Sequence, residues 1–177
     1  TRLKELAVQV QNGTYSNEDK ANIGAEMAAL GTAITNIYIN TKFNGITVFG
    51  TQSATDGSFQ ENAGTDVAAE IHYGEDGNQT VKILAAKTEE INDLFELTSA
   101  ITTAKNGDII TVGGTDITAT SDAHAKALRA TLVTVDAVED AITEVNTTRA
   151  TYGALQNQLE HASNNMATTK ENLQSAE

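Results

Sequence analysis

The chain has 177 residues, a 40% apolar content and a formal net charge of −13, from 24 acidic against 11 basic side chains. That balance argues against nucleic-acid and anionic-lipid partners, and no run of roughly 18 apolar residues is present to span a bilayer. With no cysteine at all, disulfides, thiolate metal sites and cysteine nucleophiles are excluded together.

The length allows one or two domains, and the ordinary apolar fraction argues for a folded chain. The absence of tryptophan and the scarcity of other aromatics fit slender helix packing better than a thick core.

Residues 1–12 read as the end of a helix, with Leu3, Leu6 and Val10 on one face and Arg2, Lys4 and Glu5 around it. Asn12-Gly13 is predicted to stop it through a left-handed glycine. The chain opens on Thr1 inside this helical pattern, with neither initiator methionine nor signal peptide. It therefore reads as an excised fragment, and missing targeting signals say little about location.

Ser16 offers an N-cap, with Glu18 and Asp19 in the first turn where the helix dipole favours them. From there Ile23, Met27, Leu30, Ile34 and Ile37 alternate four-three-four-three and predict a packing seam. The helix ends near Lys42. Asn44-Gly45 is a hairpin turn signal, and Ile46 to Phe49 is a short β-rich run closed by Gly50.

Composition then changes. Residues 51–66 are rich in Gly, Ser, Thr, Asp and Asn, which is loop chemistry. Val67, Ala69, Ile71 and Tyr73 alternate as one face of a strand, Gly74 to Asn78 turns it, and Thr80 to Leu84 returns. Thr88 caps a predicted helix with Ile91, Leu94, Phe95 and Ile101 inward, ended by Asn106-Gly107. Residues 108–112 and 115–120 form a hairpin across Gly113-Gly114.

Ser121 or Asp122 begins the last and longest helix, predicted to run to Glu177. It has no proline and a single glycine, Gly153. Val138, Val145, Tyr152, Leu159, Met166 and Leu173 fall seven apart, and Leu128, Val135 and Ile142 form a second row. Two such rows predict a helix packed lengthwise on another, a rod of roughly 80 Å at about 1.5 Å per residue. The expected fold is mainly α: an elongated coiled-coil-like bundle from residues 1–50 and 121–177. A small α+β module, residues 51–120, is inserted between its halves.

Candidate chemistry is sparse. His72, His124 and His161 lack a second histidine at helical spacing, and no H-E-x-x-H is present. No G-x-S-x-G presents a serine, and Gly113-Gly114 lacks the lysine of a phosphate loop. The acidic segment Gly74 to Asn78 has too few oxygens at calcium-loop spacing and reads as a solvated turn. No catalytic residue, cofactor or metal is expected. Arg149, Asn164 and Asn165 flank the long helix's seam, where a neighbouring subunit could dock.

Three stretches carry a resemblance. Arg2-Leu3-Lys4-Glu5-Leu6-Ala7-Val8-Gln9, followed by Asn12-Gly13-Thr14, resembles the segment of bacterial flagellin that closes its first long D1 helix. Thr41-Lys42-Phe43-Asn44-Gly45 looks like that family's turn into the D1 β-hairpin. Arg149-Ala150-Thr151-Tyr152-Gly153-Ala154-Leu155-Gln156-Asn157-Gln158-Leu159-Glu160-His161, continuing through Asn164-Asn165 to Glu171-Asn172-Leu173, is similar to its C-terminal D1 helix. The resemblance covers about residues 1–50 and 125–177. The insert resembles nothing that can be named.

The resemblance implies an extracellular structural subunit of the flagellar filament, exported unfolded, with D1 domains packing on one another and D2 facing solvent. The family's terminal helices, which form the inner tube, lie outside this chain, so the fragment is expected to be a soluble monomer. It also implies recognition by Toll-like receptor 5, with Arg2, Leu6 and Glu26 at the receptor-contact positions: Arg2 and Glu26 for charge-assisted bonds, Leu6 as an apolar plug. Lys4 stands where many relatives have arginine. The competing expectations are a hook–filament junction protein of the same superfamily, a peptidase hidden in the insert, and an adhesive or carbohydrate-binding module there.

Overall fold

A computed structural model describes residues 1–40, 42–43, 46–47, 67–74, 77–84 and 87–176. The readings placed on residues 48–66 and on Glu75-Asp76 lie outside these. The protein is mainly helical with small antiparallel sheets. In chain order come α1 (Arg2–Val10), α2 (Asn17–Asn40), β1 (Lys42–Phe43), β2 (Ile46–Thr47), β3 (Val67–His72) and β4 (Thr80–Leu84). There follow α3 (Glu89–Thr103), β5 (Ile109–Val112), β6 (Thr115–Thr118), α4 (Asp122–Thr131) and α5 (Val135–Ala176).

The α1–α2 connection forms as expected but by a different device. Gly13 is not left-handed; among the described residues Gly107, Gly113 and Gly114 are the glycines with positive φ. Instead, the Asn12 side chain accepts from Thr14 N–H and Thr14 Oγ1, at 3.0 and 2.9 Å, and bends the chain. Ser16 Oγ then accepts Asp19 N–H at 3.2 Å while Asp19 Oδ2 reaches back to Ser16 N–H at 3.3 Å, a reciprocal capping box.

On α2 the packing seam is rotated by one residue from the predicted one, of whose five positions Met27 alone is fully buried. Gly24, Ala28, Gly31, Thr35 and Tyr38 are buried at the same four-three-four-three spacing, whereas Ile37 is 64% exposed. Small residues win the inner line because they let helices approach. A Cβ on Gly24 would stand 2.9 Å from Ile101 Cγ2 and 3.1 Å from Ala130 Cβ, and one on Gly31 would collide with Thr98 Oγ1. Ile23, Leu30 and Ile34 pack half-buried on the shoulders of the seam.

The single helix predicted from residue 121 is two. α4 ends at Thr131, Leu132 N–H and Val133 N–H fall back on Arg129 and Ala130 carbonyls, and Thr134 Oγ1 restarts the ladder by accepting Ala137 N–H at 3.2 Å. No glycine or proline marks this break. The run Val133-Thr134-Val135 is β-branched, a weak helix former, and it buries Val133 completely in the core. Gln11 Nε2 donates to the Thr131 carbonyl at 2.9 Å, satisfying one of the acceptors that the end of α4 exposes.

The 42-residue α5 is about 60 Å long at 1.5 Å per residue. Its row of Val138, Val145, Tyr152 and Leu159 is inward as predicted, but the companion row is Ala141, Thr148, Leu155 and Ala162, all buried. Ile142 from the predicted second row is 39% exposed, and Leu128 turns instead towards the β5–β6 hairpin.

Among the described residues, three apolar clusters hold the helices and hairpins together. The largest joins Leu3, Leu6, Ala7 and Val10 of α1 to Met27 of α2, Ile91, Leu94 and Ile101 of α3, Ala130 of α4, and Val138 and Ala141 of α5. The helix expected in the insert thus shares the terminal helices' core. β3 and β4 pair antiparallel with Ile71 opposite Val81, and Val81 and Ile83 pack on Leu155 and Ala162 of α5. β5 and β6 pair across Gly113 and Gly114, whose φ of 58° and 81° suit a tight hairpin turn. Ile110 and Ala119 then pack on Ala125 of α4. β1 and β2 pair with Lys42 opposite Thr47, and the turn predicted at Asn44-Gly45 lies outside the described residues.

Candidate interaction surface

The α1–α2 face carries two of the three residues singled out by resemblance. Arg2 meets Glu26 in a fork, Nε to Oε1 at 2.7 Å and NH2 to Oε2 at 3.1 Å, with Glu5 3.4 Å from NH1. The pair is exposed, and each partner favours the other's charge: the guanidinium is raised and the Glu26 carboxyl lowered, mainly by their mutual hydrogen bonds. On the opposite flank Lys4 reaches Glu139 of α5 at 2.6 Å, so α1 is held by an ion pair on each side.

Leu6 lies elsewhere. It is 1% exposed, at the centre of the main apolar cluster. The structure therefore does not present it as a surface plug; it supports the helix that displays Arg2. The reason is periodicity, since Leu3, Leu6 and Val10 form the one apolar stripe that α1 has to bury.

The bundle surface opens into an apolar groove of about 260 Å³ where α2, α3 and α5 meet the start of α1, lined by Leu3, Ile34, Ile37, Tyr38, Ile142 and Val145 among others. Further along, every α5 residue from Ser163 to Ala176 is exposed, including Met166 at 45% and Leu173 at 65%. Arg149, Asn164 and Asn165 are exposed as well. The last two positions of the predicted heptad row, Met166 and Leu173, are thus exposed apolar side chains that line a shallow pocket with Tyr73.

Sequence reasoning missed Glu144. Its carboxylate is 8% exposed and accepts the N–H of Glu90 at 3.1 Å and of Ile91 at 3.4 Å, so that α5 caps the start of α3. Thr88, predicted to cap that helix, is buried there without a side-chain capping bond. Burial raises the Glu144 carboxyl above the usual range, against the lowering effect of the two backbone donors and of Lys87. The Tyr38 hydroxyl is pushed up to about 12 by burial and by the Glu144 charge. A glutamate on the inner side of a heptad row was the available signal.

Of the histidines, His124 Nδ1 accepts Thr120 N–H at 3.1 Å at the start of α4, a structural role. Among the described residues no group of three acidic or histidine side chains could hold a metal ion. Among them, too, no helix is long and apolar enough to cross a membrane.

Comparison with known proteins gives matches at both ends. Residues 1–54 match the bacterial flagellin N-terminal helical region and residues 135–177 the bacterial flagellin C-terminal helical region. Over 99% of the chain, similar proteins include the flagellar filament 30.7 kDa core protein of Treponema maltophilum (27% identical, 54% of its length) and flagellin FlaB2 of Treponema pallidum (29%, 54%). A flagellin of Bacillus subtilis is 29% identical across 57% of its length. The chain spans about half the length of the curated relatives it matches.

Proposed function

Because its two ends carry the N- and C-terminal helical regions of the bacterial flagellins, and so belong to that family, we propose that this chain forms the packing core of a structural subunit of the flagellar filament. The observation that carries the reading is the single apolar cluster in which α1 and α2 from one end close on α4 and α5 from the other. The groove at Ile37 and Ile142 and the exposed Met166 and Leu173 supply apolar surface for neighbouring subunits. The role is structural rather than enzymatic.

In this reading the 177 residues correspond to the D1–D2 portion of the longer relatives. Filament growth outside the cell, and motility, are properties of the whole subunit. The division into residues 1–50 and 121–177 with an insert at 51–120 belongs to the same proposal, α3 lending its apolar face to the terminal unit. Carried within a full-length subunit and expressed in a bacterium deleted for its own filament protein, the segment restores filaments visible by electron microscopy. Export without filaments would overturn the reading.

The finer part of the proposal is recognition by Toll-like receptor 5 through the Arg2–Glu26 surface. Its support is an exposed planar fork on a rigid helix, at positions matching the family's contact residues. Leu6 acts from beneath, by fixing α1.

A further inference from the structure

We propose that Asn12 modifies itself in the folded protein, its side-chain amide passing through a cyclic imide to aspartate and isoaspartate, while Asn106 is held unreactive. Both precede glycine, which leaves its own nitrogen unhindered. A third such pair, Asn44-Gly45, lies outside the described residues.

At Asn12 the surroundings favour attack. Oδ1 receives two hydrogen bonds, from Thr14 N–H at 3.0 Å and Thr14 Oγ1 at 2.9 Å. Those donors stand where negative charge builds when Cγ is attacked, the arrangement by which an oxyanion is stabilised. The turn they close spans Gly13, holding the side-chain carbonyl over the residue whose nitrogen attacks. The Asn12 backbone is pinned on both sides, its N–H on the Gln9 carbonyl at 3.1 Å and its carbonyl on Tyr15 N–H at 3.4 Å. Gly13 N–H has no hydrogen-bond acceptor among the described residues, and the space beside its Cα is open.

Asn106 differs at the nucleophile. Gly107 N–H donates to the Ala119 carbonyl at 2.9 Å, and its φ of 90° is fixed by the turn before β5. That nitrogen has to break a bond before it can lose its proton. Asn106 N–H is tied to Asp122 Oδ1 at 2.8 Å much as Asn12 N–H is to the Gln9 carbonyl, so it is the following glycine nitrogen that separates the two sites.

The step balances with water alone. Gly13 N gives its proton to solvent base and bonds to Asn12 Cγ, and charge collects on Oδ1. The Cγ–Nδ2 bond then breaks, the nitrogen leaving as ammonia after protonation. Water opens the imide at either carbonyl, to aspartate or to isoaspartate. Each turnover adds a negative charge beside the capping box that starts α2, and the isoaspartate route lengthens the main chain of the α1–α2 connection.

The test is incubation of the folded protein in mildly alkaline buffer, followed by peptide mapping by mass spectrometry with isoaspartate detection. Asn12 is expected to convert roughly tenfold faster than Asn106, with the gap closing in denaturant. Thr14→Val, which keeps the N–H but deletes the hydroxyl donor, should slow Asn12 roughly fivefold, and Thr14→Ser should restore the rate. Equal rates at the two asparagines in the folded state overturn the proposal, as does a Thr14→Val protein that converts as fast as the parent.

Discussion

The Glu144 carboxylate on α5 accepts the Glu90 N–H at the first turn of α3 across a sequence separation of 54 residues. One side chain thus supplies a helix cap and fixes the register of two helices at once. Glu144→Ala leaves two N–H groups without their acceptor and should cost about 1–2 kcal/mol in urea unfolding. Glu144→Gln retains an accepting oxygen and should stay near the parent.

The same carboxyl sets a pH dependence. Its folded value lies above the ordinary 4.5, so the native state binds the proton more tightly than the unfolded chain. Stability contributed by Glu144 therefore rises as pH falls through the folded value, and is complete below the unfolded one. Glu26 has the opposite sign, its contribution being present above the ordinary range and lost on acidification below it. Between neutral pH and 4.5, acidification should shift relative stability towards the parent and away from Glu144→Gln, as read from paired denaturation curves.

Tyr38 reports on the same contact. With its hydroxyl pushed up to about 12, it should ionise above the ordinary tyrosine value of 10 in an ultraviolet titration. Its folded value is raised, so its contribution is intact below 10 and is lost as pH climbs towards 12. Glu144→Gln should bring that ionisation down.

Gly31→Ala gains helix propensity yet drives a methyl group into Thr98. Overpacking should win, with a loss of about 1–3 kcal/mol. Thr98→Ala, which removes the nearest atom, should recover part of it in a double-mutant cycle, and strict additivity of the two changes would contradict the close approach.

On the proposed receptor surface, Arg2→Ala and Glu26→Ala should weaken Toll-like receptor 5 binding while leaving the melting temperature nearly unchanged. Leu6→Ala should instead lower stability by about 2–4 kcal/mol, so its effect on binding has to be read at a temperature where the protein is folded. Unchanged affinity in both charge variants would reject the surface.

Legibility followed local chemistry. The Ser16 cap, the β3–β4 hairpin and the Gly113-Gly114 hairpin were readable because each is fixed by residues close in sequence, though the return bond from Asp19 to Ser16 was not anticipated. The rotation of the α2 seam was not, because hydropathy rewards Ile37 over Gly31, whereas only tertiary approach reveals the value of a missing Cβ. The break at Val133-Thr134 escaped for a similar reason: no strong helix breaker is there, and burial of Val133 decides. Arg2 and Glu26 are singled out by resemblance alone, and what the structure adds is their ion pair; the burial of Leu6 follows from the stripe it shares with Leu3 and Val10.

That break also has a mechanical side. At Thr134 the axial hydrogen-bond ladder is interrupted, so tension or torque running down α5 does not pass straight into α4. It is handed sideways to α1 and α3, through Lys4–Glu139 and the Glu144 contacts, and spread over the bundle.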